Sequence, residues 1–272
     1  MRGGAFIGRA RIGLFLVVIV PLTLALIPVQ WLALRLRSPF AARLPMVYHR
    51  IAARLIGLKI RVSGQALAKG PRLFLSNHSS WLDIIALGSV MPLSFVARAD
   101  VADWPVFGLF AKLQRTVFVD RTRKMATKQA RDTLAGRLQQ NEAIVLFAEG
   151  TTSDGNRVLE FRSALIGAVA QVDPAHAVLL QPASIGYTRI QGIPMGRQHR
   201  PLVAWYGDLD FTPHFKEFVR RGVVDVTVTF GTAVPYDRNT DRKSAARSIE
   251  DTVRDLTAGA LRDRKTEMRM AA

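Results

Sequence analysis

Within the stretch LFLSNHSSWLDI, residues 73 to 84, an imidazole and a carboxylate lie five positions apart, at His78 and Asp83. The pair suits general-base chemistry. An aspartate that accepts the hydrogen on one imidazole nitrogen fixes the tautomer and leaves the other nitrogen to take a proton from a substrate hydroxyl. The apolar run at 72–76 reads as a strand and residues 80–89 as a helix, so His78 falls in a strand-to-helix loop. Ser79 or Ser80 is then placed to cap the helix, with Asp83 in its first turn. Helical side chains lean toward the N-terminus, which points the Asp83 carboxylate back at His78. On spacing alone a blander reading stands beside this one: a polar loop histidine next to an aspartate that merely suits the helix dipole.

A second polar cluster follows a second apolar run, AIVLFAEG, where Glu149, Gly150 and Thr151 close a strand and the glycine lets the backbone approach a ligand. Open α/β sheets bind ligands at such carboxyl ends of strands. From residue 60 onward short apolar runs alternate with helical patterns. Strands are expected near 72–76, 93–97, 116–120, 143–148, 178–186, 202–207 and 224–230, and helices near 80–89, 123–140, 163–172 and 243–262. Residues 188–200 read as a long basic loop. The expected fold is α/β, a mixed, largely parallel sheet flanked by helices, preceded by an apolar and amphipathic helical membrane anchor. Residues 1–58 form the membrane-associating segment and 59–272 the catalytic domain.

The chain has 272 residues, 49% of them hydrophobic, so it can bury a large core. It has no cysteine, which excludes disulfides, thiolate metal sites and a cysteine nucleophile. Its formal net charge of +17 favours a polyanionic partner. Twelve Lys and Arg residues precede the first acidic residue, Asp83. Residues 12–34 carry no charge and lie between Arg11 and Arg35. About 20 apolar residues suffice to cross a bilayer. Pro21 and Pro28 would kink such a helix, and arginines on both flanks give no clear orientation, so a bent or interfacial anchor stands beside a full crossing. A signal peptide is a third reading, without a convincing small-x-small site after the run. Next, Leu44, Val47, Tyr48, Ile51 and Leu55 recur at helical spacing while Arg43, Arg50 and Arg54 share another face, a pattern suited to an anionic membrane surface. No helix-turn-helix, RNA-binding aromatic motif or finger spacing supports nucleic acid.

Four blocks in order over residues 72–187 resemble the PlsC-type glycerolipid acyltransferase family: NHSSWLD, RADVADWPVFGLFAKLQRTVFVDR, FAEGTTS and LLQPASIGY. The resemblance implies His78 and Asp83 as the catalytic pair. It further implies substrate contacts from Asn77, Arg98, Arg121, Glu149, Gly150, Thr151 and Thr152, with no metal and no cofactor. Glu149 has two readings: it holds the acceptor's polar head, or it binds backbone amides of the first-motif loop. Acyl transfer from a thioester of acyl carrier protein or coenzyme A to a lysolipid hydroxyl needs a base, an oxyanion site and positioning. A serine hydrolase would need a Gly-x-Ser-x-Gly elbow, absent from this chain.

Two positions depart from the family pattern. Ala148 stands where proline is usual, and Thr152 stands where the family uses arginine against the phosphate of lysophosphatidic acid. The string EGTTSDGNRVLEFRSAL is similar instead to the lyso-ornithine lipid acyltransferase branch, whose acceptor carries an amino-acid head with a carboxylate and an amine. Asp154 is placed to meet that amine, or simply to make an Asp-Gly turn. The expected activity is therefore O-acylation of lyso-ornithine lipid at a bacterial inner membrane, with the catalytic domain on the cytoplasmic side. Acylation of 1-acyl-glycerol-3-phosphate is the alternative, and a non-catalytic basic membrane- or nucleic-acid-binding module is the remote one.

Overall fold

The computed structural model describes residues 2–66, 70–120, 124–172, 178–236 and 240–262. Its strands are β1 (Leu58–Ser63), β2 (Arg72–Ser76), β3 (Ser94–Arg98), β4 (Val117–Val119), β5 (Ala143–Phe147), β6 (Val178–Ile190), β7 (Ile193–Pro194), β8 (Val224–Phe230) and β9 (Val234–Tyr236). Among the described residues they form one sheet in the order β1-β8-β6-β2-β5-β3-β4, with β7 and β9 also pairing with β6. The β1–β8, β6–β2, β2–β5, β5–β3 and β3–β4 pairs are parallel, and β6 runs antiparallel to β7, β8 and β9. The mixed, largely parallel sheet is the architecture expected. Every residue of β2 and β5 is buried, which is why both read as nearly unbroken apolar runs.

The helices are α1 (Arg2–Arg35), α2 (Phe40–Ile56), α3 (Leu82–Val90), α4 (Phe107–Leu113), α5 (Lys124–Gln139), α6 (Phe211–Arg221) and α7 (Arg242–Arg262). One face of the sheet buries Leu75, Ile144, Leu146 and Leu180 beneath Leu134 and Leu138 of α5 and Ile249 and Val253 of α7. The other buries Phe74, Val145, Ile185 and Val226 beneath Ile56 of α2, Leu82 and Leu87 of α3 and Phe218 of α6. At about 1.5–3 kcal/mol for each fully buried large apolar side chain, these two layers are what hold the sheet's strand ends in register.

Helix α1 continues through both Pro21 and Pro28. Its segment Gly8–Arg35 is long and apolar enough to cross a membrane, and only 6% of its most apolar stretch is buried inside the protein. A core helix would be covered; this one leaves Leu14, Val17, Leu24 and Leu32 exposed. Its 28 residues span about 42 Å, against about 30 Å of hydrocarbon. Phe15 packs on Phe215 of α6, the Thr23 and Tyr48 hydroxyls share a 2.8 Å bond, and the Gln30 amide donates to the Ala41 and Leu113 carbonyls. Helices α1 and α2 are thus built into the domain, with Ala53 and Ile56 of α2 in its core.

Several expected elements differ. Residues 202–207 are not a strand. The Val203 and Ala204 amides turn back on the Arg200 carbonyl, and the Trp205 amide is spent on the Ser79 carbonyl. The expected helix at 163–172 is a turn followed by a 3-10 segment, Ile166–Gln171. Part of the expected loop at 188–200 belongs to the β6–β7 hairpin. Strand β1 and helices α4 and α6 have no counterpart in the pattern reading. In α2 the buried set is Ala41, Leu44, His49, Ala52, Ala53 and Ile56, while Val47 is exposed. Small alanines let α2 approach α3, where His49 rests on Gly88, and Arg50 turns inward to donate to the Ser89 carbonyl at 2.7 Å.

Candidate active site

The loop between β2 and α3 carries His78 at the carboxyl end of the sheet. His78 Nδ1 lies 2.8 Å from Asp83 Oδ2, with the imidazole one-fifth exposed and the carboxylate fully buried. Asp83 Oδ2 also accepts the Ser79 and Ser80 amides at 2.7 and 2.9 Å, and its Oδ1 accepts the Tyr187 hydroxyl at 2.6 Å. A carboxylate surrounded by these donors meets His78 as another acceptor position, so Nδ1 carries the hydrogen and Nε2 is the basic nitrogen. The helix start follows the expectation in part, because the Ser80 hydroxyl accepts the Leu82 N–H at 3.4 Å although Ser80 is not the N-cap residue. Trp81 occupies the N-cap position without a side-chain capping bond, and the Asp83 carboxylate, a stronger acceptor than a serine hydroxyl, satisfies the Ser79 and Ser80 amides.

Three neighbouring segments hold the loop. The Asn77 amide faces the Ile185 backbone on β6, donating to its carbonyl at 2.9 Å and accepting its N–H at 2.8 Å. Asn77 is 4% exposed, so it braces the loop rather than presenting a free amide to the site. The His78 N–H donates to Glu149 Oε1 at 3.1 Å, and the His78 carbonyl accepts the Ser153 N–H at 2.8 Å. The Ser79 carbonyl accepts the Trp205 N–H at 2.7 Å. The imidazole stacks on Phe147, ring centroids 3.9 Å apart and planes 14° apart, and Phe147 stacks in turn on Phe95.

The backing of Trp81 is equally specific. Its indole N–H donates to His214 Nδ1 at 3.1 Å, which leaves His214 Nε2 to donate to the Ala204 carbonyl at 3.0 Å. Trp81 also meets the rings of Phe211, Phe215 and Phe218 on α6.

Glu149 is buried at 2% exposure, and its Oε2 has no hydrogen-bond partner. Burial pushes its carboxyl up to about 8; the His78 amide opposes this, Asp83's negative charge adds to it, and the Leu159 amide opposes it again. Gly150 turns at φ 74°, a left-handed conformation that a side chain would strain, and its N–H donates to the Phe147 carbonyl at 3.2 Å. Thr151 is exposed and Thr152 half-buried. Asp154 makes a local turn, accepting the Asn156 N–H at 3.0 Å and its side-chain amide at 3.2 Å. Arg98 points outward, 66% exposed, with two bonds to Asp100 at 2.9 and 3.0 Å. Arg121 lies outside the described residues.

Pattern reasoning passed over Tyr187 and Phe147 as site residues. Both stand inside the quoted motifs, and the two-residue period of a strand puts Tyr187 on the same face of β6 as Ile185.

The family model described as "Acyltransferase" matches residues 59–186. The lyso-ornithine lipid O-acyltransferase of Brucella abortus (strain 2308) is 49% identical over 262 residues, 95% of this chain and 98% of that protein. The protein of the same name from Rhizobium meliloti (strain 1021) is 44% identical over 261 residues, 95% of this chain and 89% of that one. Among solved structures, the 1-acyl-sn-glycerophosphate acyltransferase PlsC of Thermotoga maritima has a TM-score of 0.56 at 17% identity, over 83% of this chain and 81% of that one. At that identity the likeness concerns the fold. Near-full-length identity to the Brucella and Rhizobium proteins, together with the matched domain, makes this chain a member of the PlsC-type acyltransferase family.

Proposed function

We propose that the chain moves a fatty acyl group from a thioester, carried by acyl carrier protein or coenzyme A, to the free hydroxyl of lyso-ornithine lipid. The observation that carries the chemistry is the 2.8 Å His78–Asp83 bond, which leaves His78 Nε2 as the base. In this reading Nε2 takes the proton of the acceptor hydroxyl while its oxygen attacks the thioester carbonyl. The tetrahedral intermediate collapses by expelling the thiolate, which recovers the proton from the imidazolium. Asp83 stabilises that imidazolium and holds its orientation.

Support for the acceptor comes from the names of the Brucella and Rhizobium relatives and from Thr152, which offers no charge to a phosphate. The domain division is proposed at residue 58, with α1 and α2 as the membrane module on the inner membrane and the catalytic domain on the cytoplasmic side. The excess of basic residues before Asp83 supports an anionic lipid surface.

The test is kcat/KM for lyso-ornithine lipid against lysophosphatidic acid with one acyl donor. The expected result is a wild-type preference for lyso-ornithine lipid, shifted toward lysophosphatidic acid in Thr152→Arg. A tenfold or greater wild-type preference for lysophosphatidic acid overturns the acceptor assignment and leaves the phosphatidic-acid reaction in its place.

A further inference from the structure

A cavity of about 220 Å³ opens at the carboxyl ends of β4 and β5, lined by Val119, Leu146, Phe147, Ala148, Arg162, Ala164 and Leu165. It adjoins the catalytic loop, because Phe147 is the residue whose ring stacks on His78. Its volume corresponds to roughly seven waters at about 30 Å³ each, below the roughly 300–1,000 Å³ of pockets that enclose whole drug-sized ligands. It therefore takes one end of a substrate rather than a long acyl chain.

Among the described residues of that lining, Arg162 alone is charged. Its backbone N–H donates to the Ala148 carbonyl at 2.8 Å, which fixes it beside the turn that carries Glu149 and Gly150. Its side chain is exposed, and the guanidinium has no hydrogen-bond or carboxylate partner among the described residues. Among the described cations near the turn, Arg98 is committed to Asp100, Arg157 and Arg200 act on Asp154, and Arg200 also donates to the Asn156 side chain; position 152 is a neutral threonine. A planar guanidinium over an otherwise apolar recess matches a carboxylate, which it grips through two parallel N–H donors.

Resting on the acceptor reading above, we propose that this cavity receives the amino-acid head of the acceptor and that Arg162 pairs with its carboxylate. Arg162 is thus a specificity-determining residue. The lyso-ornithine head brings one carboxylate where lysophosphatidic acid brings a phosphomonoester, and a single arginine at 162 replaces the arginine that is absent at 152.

The test compares lyso-ornithine lipid with its carboxyl methyl ester, using one acyl donor and wild-type, Arg162→Gln and Arg162→Lys proteins of matched thermal unfolding. Wild type should lose about ten- to a hundredfold in kcat/KM on esterification, the scale of one charge-assisted contact. Arg162→Gln should lose a similar factor on the free acid and treat acid and ester nearly alike, with Arg162→Lys between the two. The proposal is overturned if wild type fails to discriminate acid from ester, or if Arg162→Gln keeps the wild-type ratio. It is also overturned if the Gln variant raises KM for the thioester with the acid-to-ester ratio unchanged, since the anion then belongs to the donor. A wild-type preference for lysophosphatidic acid is a separate result and sinks the acceptor reading itself.

Discussion

The Tyr187 hydroxyl donates to Asp83 Oδ1 at 2.6 Å, from a strand 104 residues further along the chain. The His78 ring and the Ser79 and Ser80 amides converge on Oδ2, so Tyr187 fixes the carboxylate's rotation about its own axis. Burial and the negative charge of Asp83 hold the phenol well above its ordinary value, which keeps it a donor. Tyr187→Phe retains the ring and removes the bond. It should lower kcat about tenfold with little change in KM, and cost about 1.5–3 kcal/mol in denaturant unfolding, the worth of a hydrogen bond to a charged group.

His78→Ala should abolish acyl transfer while leaving the far-UV CD spectrum and membrane association intact. Asp83→Asn should reduce kcat by ~10³–10⁴, because an amide at that position no longer enforces the Nδ1–H tautomer. Steady-state kinetics on folded protein decide this; near-normal turnover by His78→Ala would refute the base assignment.

Glu149 predicts a pH dependence of stability. Its folded value near 8 lies above the ordinary carboxyl value of 4.5. Between the two the native state holds a proton that the unfolded chain has lost. Its stabilising effect is complete below about 4.5 and is lost as pH rises through 8. The limiting slope is a loss of about 1.4 kcal/mol per pH unit. Glu149→Gln keeps an acceptor for the His78 amide and has no proton to lose, so its urea unfolding free energy should fall less steeply between pH 5 and 8. Parallel profiles for the two proteins would show that Glu149 ionises normally.

Because Ala53 and Ile56 belong to the core, deleting residues 1–58 would expose the sheet as well as remove the anchor. Charges on the exposed side of α1 test the anchor more cleanly. Val17→Asp combined with Leu24→Asp, at positions 73% and 65% exposed, should shift the protein from the membrane pellet toward the supernatant. It should also reduce activity on bilayer-embedded lysolipid more than on a short-chain soluble acceptor. Equal losses on both would show that α1 serves folding alone.

The His78–Asp83 contact was legible because its geometry is local: five residues across one strand-to-helix turn leave little freedom. The central strands were legible because burial on both faces makes them continuous apolar runs. What escaped was decided at long range. The WYG segment after Ala204 has strand-like composition, yet the Trp205 amide is claimed by the Ser79 carbonyl of a loop that only the folded sheet brings near. Asn77 reads as a ligand contact from its motif, and for Glu149 the motif leaves open a ligand contact or a bond to the first-motif loop, of which the His78 amide bond matches the second. Their bonds to Ile185 and to the His78 amide come from strands that approach the loop only after the sheet has formed. Helix α6 begins at FTPHF, where an internal proline and a low apolar content mask a helix whose buried face is just Phe218 and Val219.

The braces of the His78 loop span 71 residues to Glu149, 108 to Ile185 and 133 between Trp81 and His214. Contacts so distant in sequence form slowly, since each must first overcome the entropy of closing a long loop. A chain emerging from the ribosome therefore carries α1, α2 and the His78–Asp83 pair before the distant segments that brace their loop exist. The five-residue spacing lets His78 and Asp83 meet locally, but the loop that carries them is braced only once β6 and α6 have been made and docked, so the rigidity of the pair is a late product of folding.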